Sequence, residues 1–126
     1  MATRVLVVDD NPDSLVITRG ILEPKGYEVV EATSGPQALE LVAQQPPDLI
    51  LLDVMMPGMS GLEVLQQLKE NYETARIPVI LVTAKTADED VVQGYQYGAD
   101  YYITKPFTGT QLLYGIELVL GRENPE

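Results

Sequence analysis

Five short apolar runs set the limits on what this 126-residue chain can fold into. They are Arg4–Val8 (RVLVV), Tyr27–Ala32 (YEVVEA), Leu49–Leu52 (LILL), Pro78–Thr83 (PVILVT) and Tyr101–Thr104 (YYIT). Runs without strict apolar/polar alternation suit strands buried on both faces. The second run alternates more and belongs nearer a sheet edge. Helical patterns with marked starts stand between and after the runs. Asn11-Pro12-Asp13 supplies a cap, a first-turn proline and an early acid. Ser34 to Gln37, Ser60 to Glu63, Thr86 to Glu89 and Thr108 to Gln111 all fit the capping-box spacing. Gly26, the Pro46-Pro47 pair, Gly98 and Gly121 read as stops. Pro24, close to the end of the first helix, presses on the carbonyl of Gly20 and predicts a distorted last turn. The resulting order, βαβαβαβαβα, implies an α/β fold: a doubly wound five-stranded parallel sheet with right-handed crossovers and helices on both faces. The length is that of one domain, enough to bury a core without staples.

In sheets of this kind the ligand crevice lies beyond the carboxyl ends of the strands. Asp9 and Asp10 follow the first run, Asp53 follows the third, Thr83 ends the fourth with Ala84 after it, and Lys105-Pro106 follows the fifth. Taken singly, each has an ordinary explanation as a turn residue, a cap, a strand residue or a solvated lysine. Taken under one topology, three carboxylates, a hydroxyl and an ammonium share one edge. Three carboxylates together raise one another's pKa and destabilise a fold. A divalent cation resolves this, and Mg²⁺ takes one or two carboxylates plus waters and phosphate oxygens. Asp10 and Asp53 suit direct ligation, Asp9 ligation through water, and the Met55 backbone carbonyl can complete the set. An aspartate beside such a cation can attack phosphorus to form an acyl phosphate. Lys105 then acts as a point-charge clamp and Thr83 as a donor to a phosphoryl oxygen.

Composition narrows the function classes. The chain has no cysteine and no histidine, so it has no disulfide, no thiolate metal site, no cysteine nucleophile and no phosphohistidine of its own. Its formal charge of −11 disfavours direct nucleic-acid binding, which rests on Lys and Arg neutralising phosphates. No apolar run approaches the roughly 18–20 residues that span a bilayer, and the N-terminus MATRVLVVDD reads as a strand and not a signal peptide. The expected location is the cytoplasm, away from membranes.

VLVVDD, LILLDVMMPGMSG, PVILVTA and YYITKPF, in that order, resemble the receiver domain of bacterial two-component response regulators, of the CheY-like kind. The resemblance covers Arg4 to Leu120 and places a receiver domain at residues 3–121 with a short tail at 122–126. It implies the strand order 2-1-3-4-5 and a set of roles. Asp53 would be phosphorylated. Asp9, Asp10, Asp53 and the Met55 carbonyl would hold Mg²⁺. Thr83, Ala84 (small, leaving its N–H accessible) and Lys105 would meet the phosphoryl group. The Lys105–Pro106 peptide would be cis. Tyr102, three residues before Lys105, would be the switch aromatic that moves with Thr83; Tyr101, its neighbour, points to the opposite face. The phosphoryl donor would be a phosphohistidine on a sensor histidine kinase or a histidine phosphotransfer protein. The response would be a population shift in the surface of the fourth helix, fifth strand and fifth helix. The protein would not be an enzyme in the ordinary sense, although it would assist its own phosphorylation and slow autodephosphorylation.

Two positions depart from expectation. Met55, two past Asp53, and Lys85, two past Thr83, stand where the family tunes self-dephosphorylation. A Met side chain orients an attacking water poorly, which predicts a long-lived phosphoryl group. The last helical pattern carries a stripe of Leu112, Leu113, Ile116, Val119 and Leu120 for the sheet. Tyr114 and Leu118 lie on the other side and, with Tyr97, form a candidate patch for a homodimer or a partner. Only residues 122–126 follow that pattern, so no output domain is expected within this chain. A dehalogenase-like phosphatase would need a second acid where Met55 stands. A dinucleotide or flavin module would need a glycine-rich loop where Asp9-Asp10-Asn11-Pro12 stands. A receiver-like docking module that is never phosphorylated is the remaining alternative.

Overall fold

The computed structural model describes residues 2–83 and 94–123. Its elements run β1 (Arg4–Val8), α1 (Pro12–Leu22), a 3₁₀ turn (Glu23–Lys25), β2 (Glu28–Ala32), α2 (Gly35–Gln44), β3 (Leu49–Asp53), α3 (Gly61–Glu70), β4 (Val79–Thr83), helical residues 94–96 (α4), β5 (Tyr101–Thr104) and α5 (Gly109–Glu123). All strand pairs are parallel, in the order β2-β1-β3-β4-β5. This is the order the resemblance implied, and β2 is an edge strand as its alternation suggested.

Alternate residues of each central strand feed two separate cores. Leu6, Val8, Ile50, Leu52, Val79 and Leu81 pack with Ala38 and Val42 of α2 and Val64, Leu65 and Leu68 of α3. Val5, Val7, Leu49, Leu51, Ile80 and Val82 pack on the other face with Leu15 and Leu22 of α1 and Leu112, Ile116 and Val119 of α5. The period of two in a strand sends neighbours to opposite faces, so an unbroken apolar run serves both layers at once. The α5 stripe faces the sheet as expected, with Leu113 and Leu120 partly buried at its margins. Tyr101 joins the α1/α5 layer and Tyr102 the α2/α3 layer, on opposite faces.

The caps follow the sequence closely. Asn11 Oδ1 accepts the N–H groups of Asp13 (2.8 Å) and Ser14 (3.2 Å). Full capping boxes form at Ser60/Glu63 and Thr108/Gln111. At α2 the box is offset by one residue: Ser34 Oγ caps Gln37 N–H at 3.3 Å, but Gln37 Oε1 takes the N–H of Thr33 at 2.7 Å. The expected box at Thr86 lies outside the described residues, as do Ala84 and Lys85. Pro24 ends α1 in the 3₁₀ turn, and Gly26, at φ +92°, closes it. Gly121 is not a stop. Residues through Glu123 are helical, and Gly121 is absent from the left-handed glycines, which are Gly26, Gly58 and Gly98 among the described residues. Glycine lowers helix propensity by only about 1 kcal/mol, and it ends a helix reliably only where the chain turns left-handed. The tail read from residue 122 is therefore continuous with α5 in its first two residues.

Candidate functional site

β1 and β3 are adjacent and in parallel register, Val8 beside Leu52, so Asp9 and Asp53 leave the sheet side by side. One residue of each strand end is thus forced to the same edge, and both carboxylates are buried. Asp10 stands outside them, exposed, and one carboxylate oxygen from each of Asp9, Asp10 and Asp53 lies within 4.8 Å of the others. β4 pairs with β3 and β5 with β4, which puts Thr83 beside Thr104 at the same edge. Lys105 is the next residue, and its N–H donates to the Thr83 carbonyl at 2.7 Å. The Lys105–Pro106 peptide is cis.

The Lys105 ammonium closes the site. Its Nζ donates to Asp9 Oδ2 at 2.6 Å, to Asp53 Oδ2 at 3.3 Å and to Ser14 Oγ at 3.4 Å. The second oxygens are also held: Asn11 N–H donates to Asp9 Oδ1 and Met55 N–H to Asp53 Oδ1, both at 3.0 Å. Burial pushes the Asp53 carboxyl above the usual carboxylate range; the Met55 N–H and the Lys105 charge oppose that rise, and Asp9 adds to it. Burial works to lower the Lys105 pKa, but the hydrogen bond it donates to Asp9 and the charges of Asp53 and Asp9 outweigh it and raise the ammonium above the ordinary lysine value. One ammonium thus faces two buried carboxylates and a third outside. The surplus of anionic hard oxygen donors on one concave edge matches a small divalent cation such as Mg²⁺.

The structure brings together Asp9, Asp10, Asp53 and Lys105, and it sets Thr83, wholly buried, at the adjacent strand end. Met55 follows Asp53 at the rim with 48% of its surface exposed. Tyr102 stands on the α2/α3 side of β5, half-buried against that core. Two residues at the site carry roles that the sequence did not assign to them. Ser14 reaches Lys105 from the first turn of α1; its only signal was a hydroxyl four residues after Asp10. Gly61 lies so close to the backbone of Asp53 that a Cβ there would sit 2.1 Å from the Asp53 carbonyl oxygen. The glycine in MSG therefore lets α3 start directly behind the acid, and no side chain larger than hydrogen fits.

Known proteins share this fold. A family model described as the response regulator receiver domain matches residues 5–117. The phosphate regulon transcriptional regulatory protein PhoB of Pseudomonas aeruginosa is 42% identical over 121 residues, covering 96% of this chain and 53% of PhoB. The chain therefore spans about half the length of that relative. The protein PilH of the same organism is 40% identical over 117 residues, covering 93% of this chain and 97% of PilH. The crystal structure of a CheY-like response regulator receiver domain protein from Methanospirillum hungatei matches with a TM-score of 0.92 at 32% identity, over 98% of this chain and 97% of that one. A family match over most of the chain, with relatives 40% or more identical across it, shows that the chain belongs to the response regulator receiver domain family.

Proposed function

We propose that this receiver domain accepts a phosphoryl group on Asp53 from a phosphohistidine of a sensor kinase or phosphotransfer protein. The observation that carries the reading is the Lys105 ammonium shared between Asp9 and Asp53 beside a third carboxylate. An Asp53 oxygen attacks phosphorus, the P–O bond forms as the P–N bond breaks, and the departing imidazole takes a proton from solvent. Receiver domains bind Mg²⁺ at an acidic pocket; here Asp9, Asp10, Asp53 and the Met55 carbonyl would hold it, and the bound ion offsets charge on the transferring group. Lys105 passes from the Asp53 carboxylate to a phosphoryl oxygen, keeping its hold on Asp9. Thr83 supplies its hydroxyl to a second oxygen, and the Ala84 N–H is the third donor.

The phosphoryl group adds about −1.5 to −2 of charge and strong acceptor oxygens. Movement of Thr83 and Lys105 toward them carries to Tyr102, three residues before Lys105 on β5 and opposite Leu81 of β4, and biases the surface of α4, β5 and α5. Tyr97 and Tyr114 are exposed on that side and Leu118 is half-buried, which supports a homodimer or a protein partner there. No helix among the described residues is long and apolar enough to cross a membrane. A cytoplasmic module without direct nucleic-acid contact is the setting that matches the acidity. Met55 offers no polar group to orient water, so the acyl phosphate decays slowly.

The test is incubation with acetyl phosphate and Mg²⁺ followed by intact-mass analysis. The expected result is a gain of one phosphoryl group that Asp53→Asn abolishes. A wild-type protein that stays unmodified under conditions where another receiver is phosphorylated would instead favour a docking module.

A further inference from the structure

Lys105 carries three N–H groups, and each has a partner: Asp9, Asp53 and Ser14. The first two are the anions of the site. Ser14 is different: it is neutral, belongs to α1, and is itself braced. Its backbone N–H donates to Asn11 Oδ1 at 3.2 Å, and the Asn11 backbone N–H donates to Asp9 Oδ1 at 3.0 Å. Asp9 Oδ2 in turn accepts Lys105 Nζ at 2.6 Å. The contacts therefore close a ring through Asp9, Lys105, Ser14 and Asn11. Both oxygens of Asp9 are engaged in it, and its only hydroxyl member is the Ser14 side chain.

A flexible four-carbon stem leaves a lysine ammonium free to rotate and swing unless its donors are fixed. Asp9 and Asp53 alone fix two of three. Ser14 Oγ fixes the third from the side of α1, where the half-buried serine lines a cleft of about 300 Å³ with Ile17, Thr18, Lys105, Pro106 and Phe107. We propose that Ser14 is a positioning residue for phosphoryl transfer: through its hydroxyl and the ring to Asp9 it holds the Lys105 ammonium facing Asp53. The inference rests on the reading of Asp53 as the acceptor. Ser14 touches neither acceptor nor phosphoryl group and acts only through Lys105.

The hydroxyl contact is long, so its removal gives a moderate effect. Single-turnover phosphorylation by acetyl phosphate with saturating Mg²⁺ is followed for wild type, Ser14→Ala and Ser14→Thr. The expected result for Ser14→Ala is a maximal rate constant about three- to tenfold lower, with the half-saturating donor concentration unchanged and the thermal midpoint within the error of wild type. Ser14→Thr, which keeps the hydroxyl, restores the rate constant. Equal rate constants for wild type and Ser14→Ala, or a loss that Ser14→Thr does not restore, overturn the inference while leaving Asp53 as acceptor intact. A wild-type protein that takes up no phosphoryl group overturns both.

Discussion

The two ends of the sheet each hold a partly buried lysine, and the two are used in opposite ways. At the amino end, Lys69 of α3 donates to the backbone carbonyls of Ala75 (3.0 Å) and Ile77 (2.8 Å) and stands 3.9 Å from Asp100. At the carboxyl end, Lys105 donates to two carboxylates and a hydroxyl. Their side chains are similarly enclosed, 17% and 21% exposed. What differs is the acceptor set. The carbonyls of the loop entering β4 are neutral and Asp100 is a single carboxylate at 3.9 Å, so among the described residues Lys69 has no surplus of anions around it and serves as a staple. Carboxylates in excess can exchange one cation for another, so the carboxylate contacts of Lys105 are the kind that a divalent cation can replace. Burial of a lysine alone therefore says little about function, and the charge and surplus of its acceptors says much more.

The sharpest way to break the comparison is to remove each ammonium. Lys105→Ala should slow phosphorylation by acetyl phosphate about a hundredfold or more, the scale for one preorganised charge donor. A rate within a few-fold of wild type would place Lys105 with Lys69 as a structural residue. Next in size, Lys69→Met should lower unfolding stability by about 2 kcal/mol, because half-buried carbonyls lose their donor, while the phosphorylation rate constant stays within about twofold. Urea melts and mass kinetics on the same sample check both halves.

A third effect comes from the anionic surplus. The folded-state pKa of Asp53 lies above its unfolded value, mainly through burial. Its protonated form is favoured by the fold, so that contribution is present below the unfolded pKa and is lost as pH rises through the folded one. At neutral pH in EDTA the ionised group opposes folding. Asp53→Asn should then raise the thermal midpoint by roughly 3–5 °C per kcal/mol gained, and the gain should shrink as pH falls toward 4. Mg²⁺ should raise the midpoint of the wild type more than that of the variant. Smallest is the effect at the rim: Met55→Asn, which can orient a water, should shorten the acyl-phosphate lifetime a few-fold, read from decay after removal of the donor. An unchanged or lengthened lifetime would show that Met55 does not limit water there.

Most of the fold and the heart of the site were legible because both depend on local patterns. Continuous apolar runs marked β1, β3 and β4 within a residue, since a strand buried on both faces leaves no polar position to confuse its ends. Parallel pairing put Asp9, Asp53 and Lys105 at one edge, and the strand order implied by the family resemblance put them beside one another. Gly121 misled because a glycine near a helix end looks the same whether the chain turns or continues. Ser14 was invisible because its partner's stem spans from β5 to α1, a tertiary distance with no sequence spacing. Lys69 left no signature either, since its acceptors are main-chain carbonyls that every residue carries. Gly61 was quoted within its motif, but only the 2.1 Å approach to Asp53 explains why it is glycine.

The central claim is that the phosphoryl group goes to the carboxylate held by Lys105. Its most direct test is chemical: after acetyl phosphate and Mg²⁺, borohydride reduces an aspartyl phosphate to homoserine, and peptide mass mapping locates it. Homoserine at position 53 alone is the predicted result. Homoserine at Asp9 or Asp10, or at no aspartate while the intact mass has risen, would contradict it.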